Sequence, residues 1–307
     1  MLSIVLPSYH EEENIRFIYH ELVKYVGNTA PLEIIFVDDG SKDRTFEEIQ
    51  SLAREDKRVR GIRLSRNFGH QIALLAGLKE SRGDRVIMMD ADGQHPPAVL
   101  PDLLKKMDEG YDIVNTIREE NRGASLMKRT SSKWFYRIFN ALSDVKIDQA
   151  AADFRIVNRL ALEAFLSIEE QDRFTRGLVS WMGFKQATLT YKAERRKAGV
   201  SKYSFRRMRN FALDGVTSFS SRPLRLSTAI GFIAIVAGSL YSVYAVVMKL
   251  SGKTSPGWTS LLLTILFLGG IQLISIGILG EYLARIYNET KRRPHYFIQE
   301  RCGEESP

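Results

Sequence analysis

Residues 226–248 and 255–280 of this chain contain no charged side chain. Each stretch exceeds the roughly 20 residues a helix needs to cross a bilayer core. One such stretch could be a buried core helix. Two in succession with basic flanks are expected to be a pair of transmembrane helices, at 226–249 and 257–282. Arg222 and Arg225 precede the first; Arg285, Lys291, Arg292 and Arg293 follow the second, and the connecting loop carries only Lys249 and Lys253. That asymmetry puts both ends of the pair, and both termini, in the cytoplasm, with Trp258 and Tyr282 placed as interfacial anchors. Just upstream, Phe205, Met208, Phe211, Ala212 and Val216 recur at helical spacing, with Arg206, Arg207 and Arg209 on other faces. Residues 205–225 are therefore expected to form an amphipathic juxtamembrane helix, favoured over a core helix of the soluble part. Residues 283–307 read as a cytoplasmic tail.

The remaining 204 residues suffice for one α/β domain. Short apolar runs at 3–6, 33–37, 59–64, 85–89 and 113–115 read as strands. Between them, Ile15, Ile18, Tyr19 and Leu22 mark one helix face, Phe46, Ile49 and Ala53 a second, and Ile72, Leu75, Ala76 and Lys79 a third. Strands alternating with helices predict βαβ units and a mostly parallel, Rossmann-like sheet. The formal charge of +8 and pI near 9.5 call for an anionic partner. The basic residues gather at the membrane flanks, so a lipid surface or phosphorylated substrate is favoured over nucleic acid. Cys302 is the only cysteine, which excludes an intrachain disulfide and fits a reducing compartment. The apolar run at 2–6 is too short for a signal peptide.

Chemistry concentrates where these strands end. Asp90 and Asp92 follow the fourth run, with Gln94 and two prolines after them. In open α/β sheets the carboxyl edge is where ligands bind. Two hard oxygen ligands without Cys or His between them suit Mg²⁺ or Mn²⁺, usually bound together with phosphate oxygens. A solvated turn is the bland alternative, outweighed by the strand before it. Asp38 and Asp39 occupy the same position after the second run and could accept from a nucleotide's ring N–H or ribose hydroxyls. Ser41 and Asp43 beside them read as helix caps. No G-x-G-x-x-G follows the first strand and no P-loop motif occurs, so those nucleotide sites lack support.

Pro7-Ser-Tyr9-x-Glu11-Glu-x-Asn14, Val37-Asp-Asp-Gly-Ser41, Arg66-Asn-Phe-Gly69 and Asp90-Ala-Asp-Gly-Gln-His-Pro-Pro97 resemble family 2 glycosyltransferases of the GT-A fold. The resemblance narrows to polyprenyl-phosphate glycosyltransferases, of the dolichyl-phosphate mannose synthase and bactoprenol glucosyltransferase kind. It runs on through Asp153-Phe-Arg155, Asp172-Arg-Phe-x-Arg-Gly177, Gly199-x-Ser-Lys-Tyr-Ser204 and Gly280-Glu-Tyr-x-x-Arg-Ile-Tyr287, covering almost the whole chain. It implies that Pro7, Tyr9, Glu11, Asp38, Asp39 and Asp90 contact the nucleotide, and that Asp90, Asp92 and Gln94 hold Mg²⁺ or Mn²⁺ on the sugar-nucleotide diphosphate. It also implies a UDP- or GDP-sugar donor, UDP-glucose-like being favoured, and an undecaprenyl or related polyprenyl phosphate acceptor. The setting is the cytoplasmic face of a bacterial inner membrane, the transfer is inverting, and a homo-oligomer is compatible with it. Gly93, where relatives often carry an apolar residue, and Ala152, where Gly is common, depart from the pattern.

A lipid monophosphate is already anionic, so it needs fixed positive charge rather than a strong base. Arg118, Arg122, Lys128, Arg129 and Lys133 form one basic stretch, and Arg195, Arg196 and Lys202 another. Arg118, Arg129 and Lys202 match family positions near the phosphates. Asp153 is the remaining candidate for orienting the acceptor, with a plain ion pair to Arg155 as the equal alternative. Two other readings fit the sequence less well. A processive polysaccharide synthase lacks its Q-x-x-R-W motif here and would need more spans. An inert membrane scaffold or lipid-transport subunit is opposed by the intact Asp90, Asp92 and Gln94.

Overall fold

A computed structural model describes residues 1–28, 31–119, 151–171, 173, 175–192, 220–252 and 257–303. They form two compact units, one built on a sheet and one made of helices.

The sheet unit begins with β1 (Leu2–Ser8), α1 (Ile15–Val26), β2 (Leu32–Asp38), α2 (Thr45–Glu55), β3 (Val59–Leu64), α3 (His70–Glu80) and β4 (Arg85–Met88). All seven residues of β1 and of β2 are buried, as strands covered on both faces require. The alternation predicted from sequence is met: β1 pairs in parallel with β2 and β4, and β2 with β3. The α1 face is Ile15, Ile18, Leu22 and Val26, and the α2 face includes Phe46, Ile49 and Leu52. Helix α3 packs close against the sheet. A Cβ on its Gly77 would stand 2.4 Å from Val5 Cγ1 and 2.8 Å from Val37 Cγ2, so only glycine admits this approach.

After β4 the chain makes a turn at Pro97–Val99, then α4 (Leu100–Asp108), β5 (Ile113–Arg118), β6 (Ala151–Asn158), α5 (Arg159–Leu166), α6 (Thr175–Trp181) and β7 (Gln186–Tyr191). With β8 (Ile298–Cys302), the eight strands of the described residues lie in the order β7-β5-β6-β4-β1-β2-β3-β8. Strand β6 runs antiparallel between β4 and β5, so its amino end reaches the edge where β4 ends. Strand β8 (Ile298–Cys302) pairs antiparallel with β3. Part of the segment read as a tail is thus the outer strand of the sheet. Its pairing is supported by Gln50 Nε2 donating to Glu300 (2.6 Å) and Arg301 donating to Glu80 (2.9 Å).

The helical unit consists of α7 (Arg222–Leu250) and α8 (Trp258–Thr290). Leu224–Leu250 and Thr264–Thr290 are long and apolar enough to cross a membrane. Phe232 and Phe267 are 68% and 69% exposed, the opposite of what a soluble core helix shows. Helix α8 has 33 residues, and at about 1.5 Å per residue it outruns a bilayer core of about 30 Å. Tyr282 Oη donates to the Ser220 carbonyl at 2.6 Å, tying the two ends of this unit together. Residues 205–219, most of the expected amphipathic helix, lie outside the described residues.

Candidate active site

The carboxyl ends of β1, β2 and β4 share one edge of the sheet, and three loops are knitted together there. Asp39 N donates to the Ser8 carbonyl (2.9 Å), His10 N to Ser41 Oγ (3.0 Å) and Glu11 N to Thr45 Oγ1 (3.0 Å). His10 takes φ 58°, a left-handed turn that His tolerates better than most residues. Pro7 ends inside β1, whereas Tyr9 is 42% exposed at the rim and Glu11 is partly buried, accepting from Asn14.

Asp38 and Asp39 both hold the edge in shape. Asp38 is fully buried; its Oδ1 accepts from Ser41 N at 3.0 Å and its Oδ2 lies 3.3 Å from Arg63 Nε. Asp39 accepts from Phe68 N (2.7 Å) and Gly69 N (2.9 Å), which fastens the Arg66–Gly69 turn. Burial pushes the pKa of each up, against the lowering effect of these donors. At Gly40, with φ +68°, a Cβ would stand 2.5 Å from the Arg66 carbonyl carbon. The two loops could not press together around any other residue.

Beyond β4, Asp92 accepts from Gln94 N (3.0 Å) and Gln94 Nε2 (2.8 Å), and Gln94 Oε1 accepts from Arg118 Nη1 at 3.4 Å. Gly93 sits at φ +73°, with only Phe17 within reach of a Cβ, at 3.7 Å. Glycine therefore relieves a left-handed turn here, and space is not what demands it. Asp90 N donates to His95 Nδ1 at 3.0 Å, which leaves the His95 proton on Nε2, 3.9 Å from Asp90 Oδ2. His95 stacks on Phe154 with centroids 5.0 Å apart. Tyr191 packs edge-on to both rings, and burial pushes its phenol up to about 12. His70 Nε2 lies 3.4 Å from Asp90 Oδ1 and 4.0 Å from Asp153 Oδ2.

Asp153, on β6, is the most heavily bonded carboxylate of the edge. Arg176 grips it side-on through Nε (3.1 Å) and Nη2 (3.2 Å), Gln71 Nε2 donates at 3.2 Å and Arg155 Nη2 at 3.5 Å. Burial alone would raise its pKa, but Arg176 and Arg155 together hold it at about 2.

Of the residues expected from sequence, Pro7, Tyr9, Glu11, Asp38, Asp39, Asp90, Asp92, Gln94, Arg118 and Asp153 thus occur in one unit. Arg129 and Lys202 lie outside the described residues. His70, His95, Gln71 and Arg176 were not singled out by sequence reasoning, although Arg176 stands inside a quoted motif and His95 inside another. Among the described residues no group of three or more His, Cys, Asp or Glu could hold a metal. Mg²⁺ and Mn²⁺ are nonetheless suited by this pair. Such ions are commonly held by one or two carboxylates, with substrate phosphates and water completing the shell, and Asp90 keeps 32% of its side chain exposed.

Residues 3–166 match glycosyl transferase family 2, and residues 222–286 match the GtrB C-terminal hairpin. The chain is 42% identical over 303 residues to a putative glycosyltransferase, CsbB, of Bacillus subtilis, covering 98% of this chain and 92% of that one. It is 40% identical to a bactoprenol glucosyl transferase of Shigella phage SfX, covering 98% and 99% of the two chains. Among solved structures it resembles mannosyl-3-phosphoglycerate synthase from Rubrobacter xylanophilus (TM-score 0.51, 21% identity, 75% of each chain). It also resembles a Pyrobaculum calidifontis mannosyltransferase in complex with GDP-Man and Mn²⁺ (TM-score 0.50, 14% identity, 95% and 86% covered). At those identities the two structures bear on the fold, which is the GT-A sheet expected from the motifs.

Proposed function

Because the chain belongs to glycosyltransferase family 2, we propose that it transfers a sugar from a nucleotide diphosphate sugar to a polyprenyl phosphate at the cytoplasmic face of a membrane, inverting the anomeric carbon. The observation that carries this is the position of Asp90, Asp92 and Gln94. They follow β4 at the same edge as the Tyr9–Glu11 and Asp38–Ser41 loops, in a chain that also has two helices fit to span a bilayer. The full-length likeness to a phage bactoprenol glucosyl transferase supports undecaprenyl phosphate as acceptor and a UDP-glucose-like donor.

In this reading the exposed Tyr9 ring, beside Pro7 and Glu11, offers a platform for the base. Asp38 and Asp39 act mainly by fixing the loop edges on which the nucleotide rests, since their carboxylates are occupied by Ser41, Arg63, Phe68 and Gly69. Asp90 and Asp92 would hold Mg²⁺ or Mn²⁺, which when bound offsets the charge gathering on the leaving diphosphate. Gln94 braces Asp92 and is itself met by Arg118, so Arg118 brings positive charge to the phosphates. Arg129 and Lys202 are proposed to add to it on the acceptor side. Asp153 and Tyr191 transfer no proton in this scheme: one is held ionised, the other keeps its phenolic proton, and the acceptor is an anion already. The basic flanks of α7 and α8 support a cytoplasmic sheet unit with both termini on that side.

The test is transfer of radiolabel from a panel of UDP- and GDP-sugars into an organic-extractable lipid, with undecaprenyl phosphate and divalent metal supplied. Asp92→Asn is expected to reduce transfer by on the order of a hundredfold or more while leaving the melting temperature close to that of wild type. Chelation should silence the wild type and added Mg²⁺ or Mn²⁺ should restore it. Full activity in Asp92→Asn, or in chelator, would sink the metal assignment. Absence of any lipid product with every donor would sink the transfer reading.

A further inference from the structure

Arg176 has no assigned part in the chemistry above, yet it is built into the edge as firmly as any residue there. We propose that Arg176 presents its guanidinium to the phosphate monoester of the acceptor, with Asp153 as the anchor that aims it; the proposal rests on the transfer reading. The first argument is capacity. A carboxylate offers roughly four lone-pair sites. Asp153 Oδ1 receives Arg176 Nε and Arg155 Nη2, and Oδ2 receives Arg176 Nη2 and Gln71 Nε2. Asp153 therefore serves the groups around it rather than an incoming hydroxyl.

Exposure then separates the two arginines. Arg155 shows 2% of its side chain to solvent and Arg176 shows 27%. A ligand arriving at this edge meets Arg176. Position supplies the third argument. Asp90, His70, Asp153 and Arg176 form a chain of contacts at 3.4, 4.0 and 3.1 Å. Only His70 and Asp153 thus stand between Arg176 and the proposed metal side, where the acceptor oxygen and the donor diphosphate have to meet. Finally, a side-on fork locks the plane of a guanidinium, which a lysine ammonium cannot reproduce. Gln71 adds to that rigidity, its Nε2 being committed to Asp153 at 3.2 Å.

The experiment uses the full chain in detergent with divalent metal, varying undecaprenyl phosphate and nucleotide sugar in turn. Arg176→Gln should raise KM for the lipid phosphate by on the order of 10- to 100-fold. KM for the nucleotide sugar, and calorimetric binding of the free nucleotide, should stay as in wild type. Arg176→Lys, which keeps the charge and loses the fork, should fall between the two, and it carries the test if the glutamine variant does not fold. Inorganic phosphate should compete with the lipid in the wild type and lose that potency in Arg176→Gln, which separates recognition of the phosphate from recognition of the lipid tail. An unchanged acceptor KM in the folded variants, or a fall confined to kcat, overturns the role of Arg176. Equal phosphate inhibition in variant and wild type overturns it too. A wild type that binds nucleotide but labels no lipid phosphate overturns the transfer reading instead, so the two failures are told apart.

Discussion

Asp38 and Asp153 are both carboxylates walled into the same sheet edge, and they answer pH in opposite directions. Burial raises the pKa of Asp38, outweighing the Ser41 side-chain and main-chain donors and Arg63 at 3.3 Å. The folded chain then binds this proton more tightly than the unfolded one. Its contribution to stability is full below the ordinary carboxylate value and declines as pH climbs through the raised one. For Asp153 the two arginines outweigh burial and the folded value is about 2. Its contribution is present above the ordinary value and fades as pH drops toward 2. Removing the Asp38 charge should therefore reshape one flank of the stability profile only. Melting curves of Asp38→Asn and wild type, taken between about pH 4 and 7, should show the wild type losing ground to the variant as pH rises. A difference that stays constant over that range would contradict the assignment of burial as the cause. Such distinctions were not legible in the sequence. The Asp38-Asp39 pair at the end of β2 reads as a nucleotide contact in the sequence, and a string of residues cannot show that both carboxylates also meet their own backbone.

At the scale of elements, the legible strands were those covered on both faces, whose apolar runs are continuous: β1 through β4 match their expected positions to within a few residues. Strand β6 is less transparent because it carries Asp153 and Arg155 in a segment where burial would ordinarily exclude charge. Strand β8 is less transparent still, since three of its five residues are polar and exposed, which is how an edge strand looks. Its seating can be read chemically through Cys302. The thiol lies against Gly61, whose imagined Cβ would stand 2.5 Å from Sγ, and burial pushes its pKa up to about 11. At pH 8 only about 0.1% of it would be thiolate, so labelling by a disulfide reagent should be slow in the folded protein and should accelerate up to about pH 11 rather than levelling near 9. Gly61→Ala should dislodge the strand and bring labelling close to the denatured rate. Rapid labelling of the native wild type at pH 8 would show that β8 does not sit where it is described.

For the molecule as a whole, the two uncharged stretches announced themselves through length and flanking charge alone; α7 extends beyond the first at both ends and α8 beyond the second at its carboxyl end. What sequence patterning could not convey is that the chain returns to its first domain after the second of them. Deleting residues 298–307 should leave α7 and α8 intact while uncovering the edge of β3 from Gly61 to Leu64. Unpaired edges invite association, so the truncated protein is expected to show greater light scattering and a lower melting temperature, and retention of a monodisperse, equally stable sheet unit would refute the closing role of β8.

The pairing of β3 with β8 joins segments more than 230 residues apart in sequence. During synthesis, β3 leaves the ribosome early and its partner is made only after both apolar helices. Every nascent copy therefore passes through an interval in which the sheet is open along one side while the two apolar helices are being made. Completion of the outer strand becomes a late event, and non-local closure of this kind is intrinsically slow. A cell making this protein has to shield that open edge until residues 298–302 arrive.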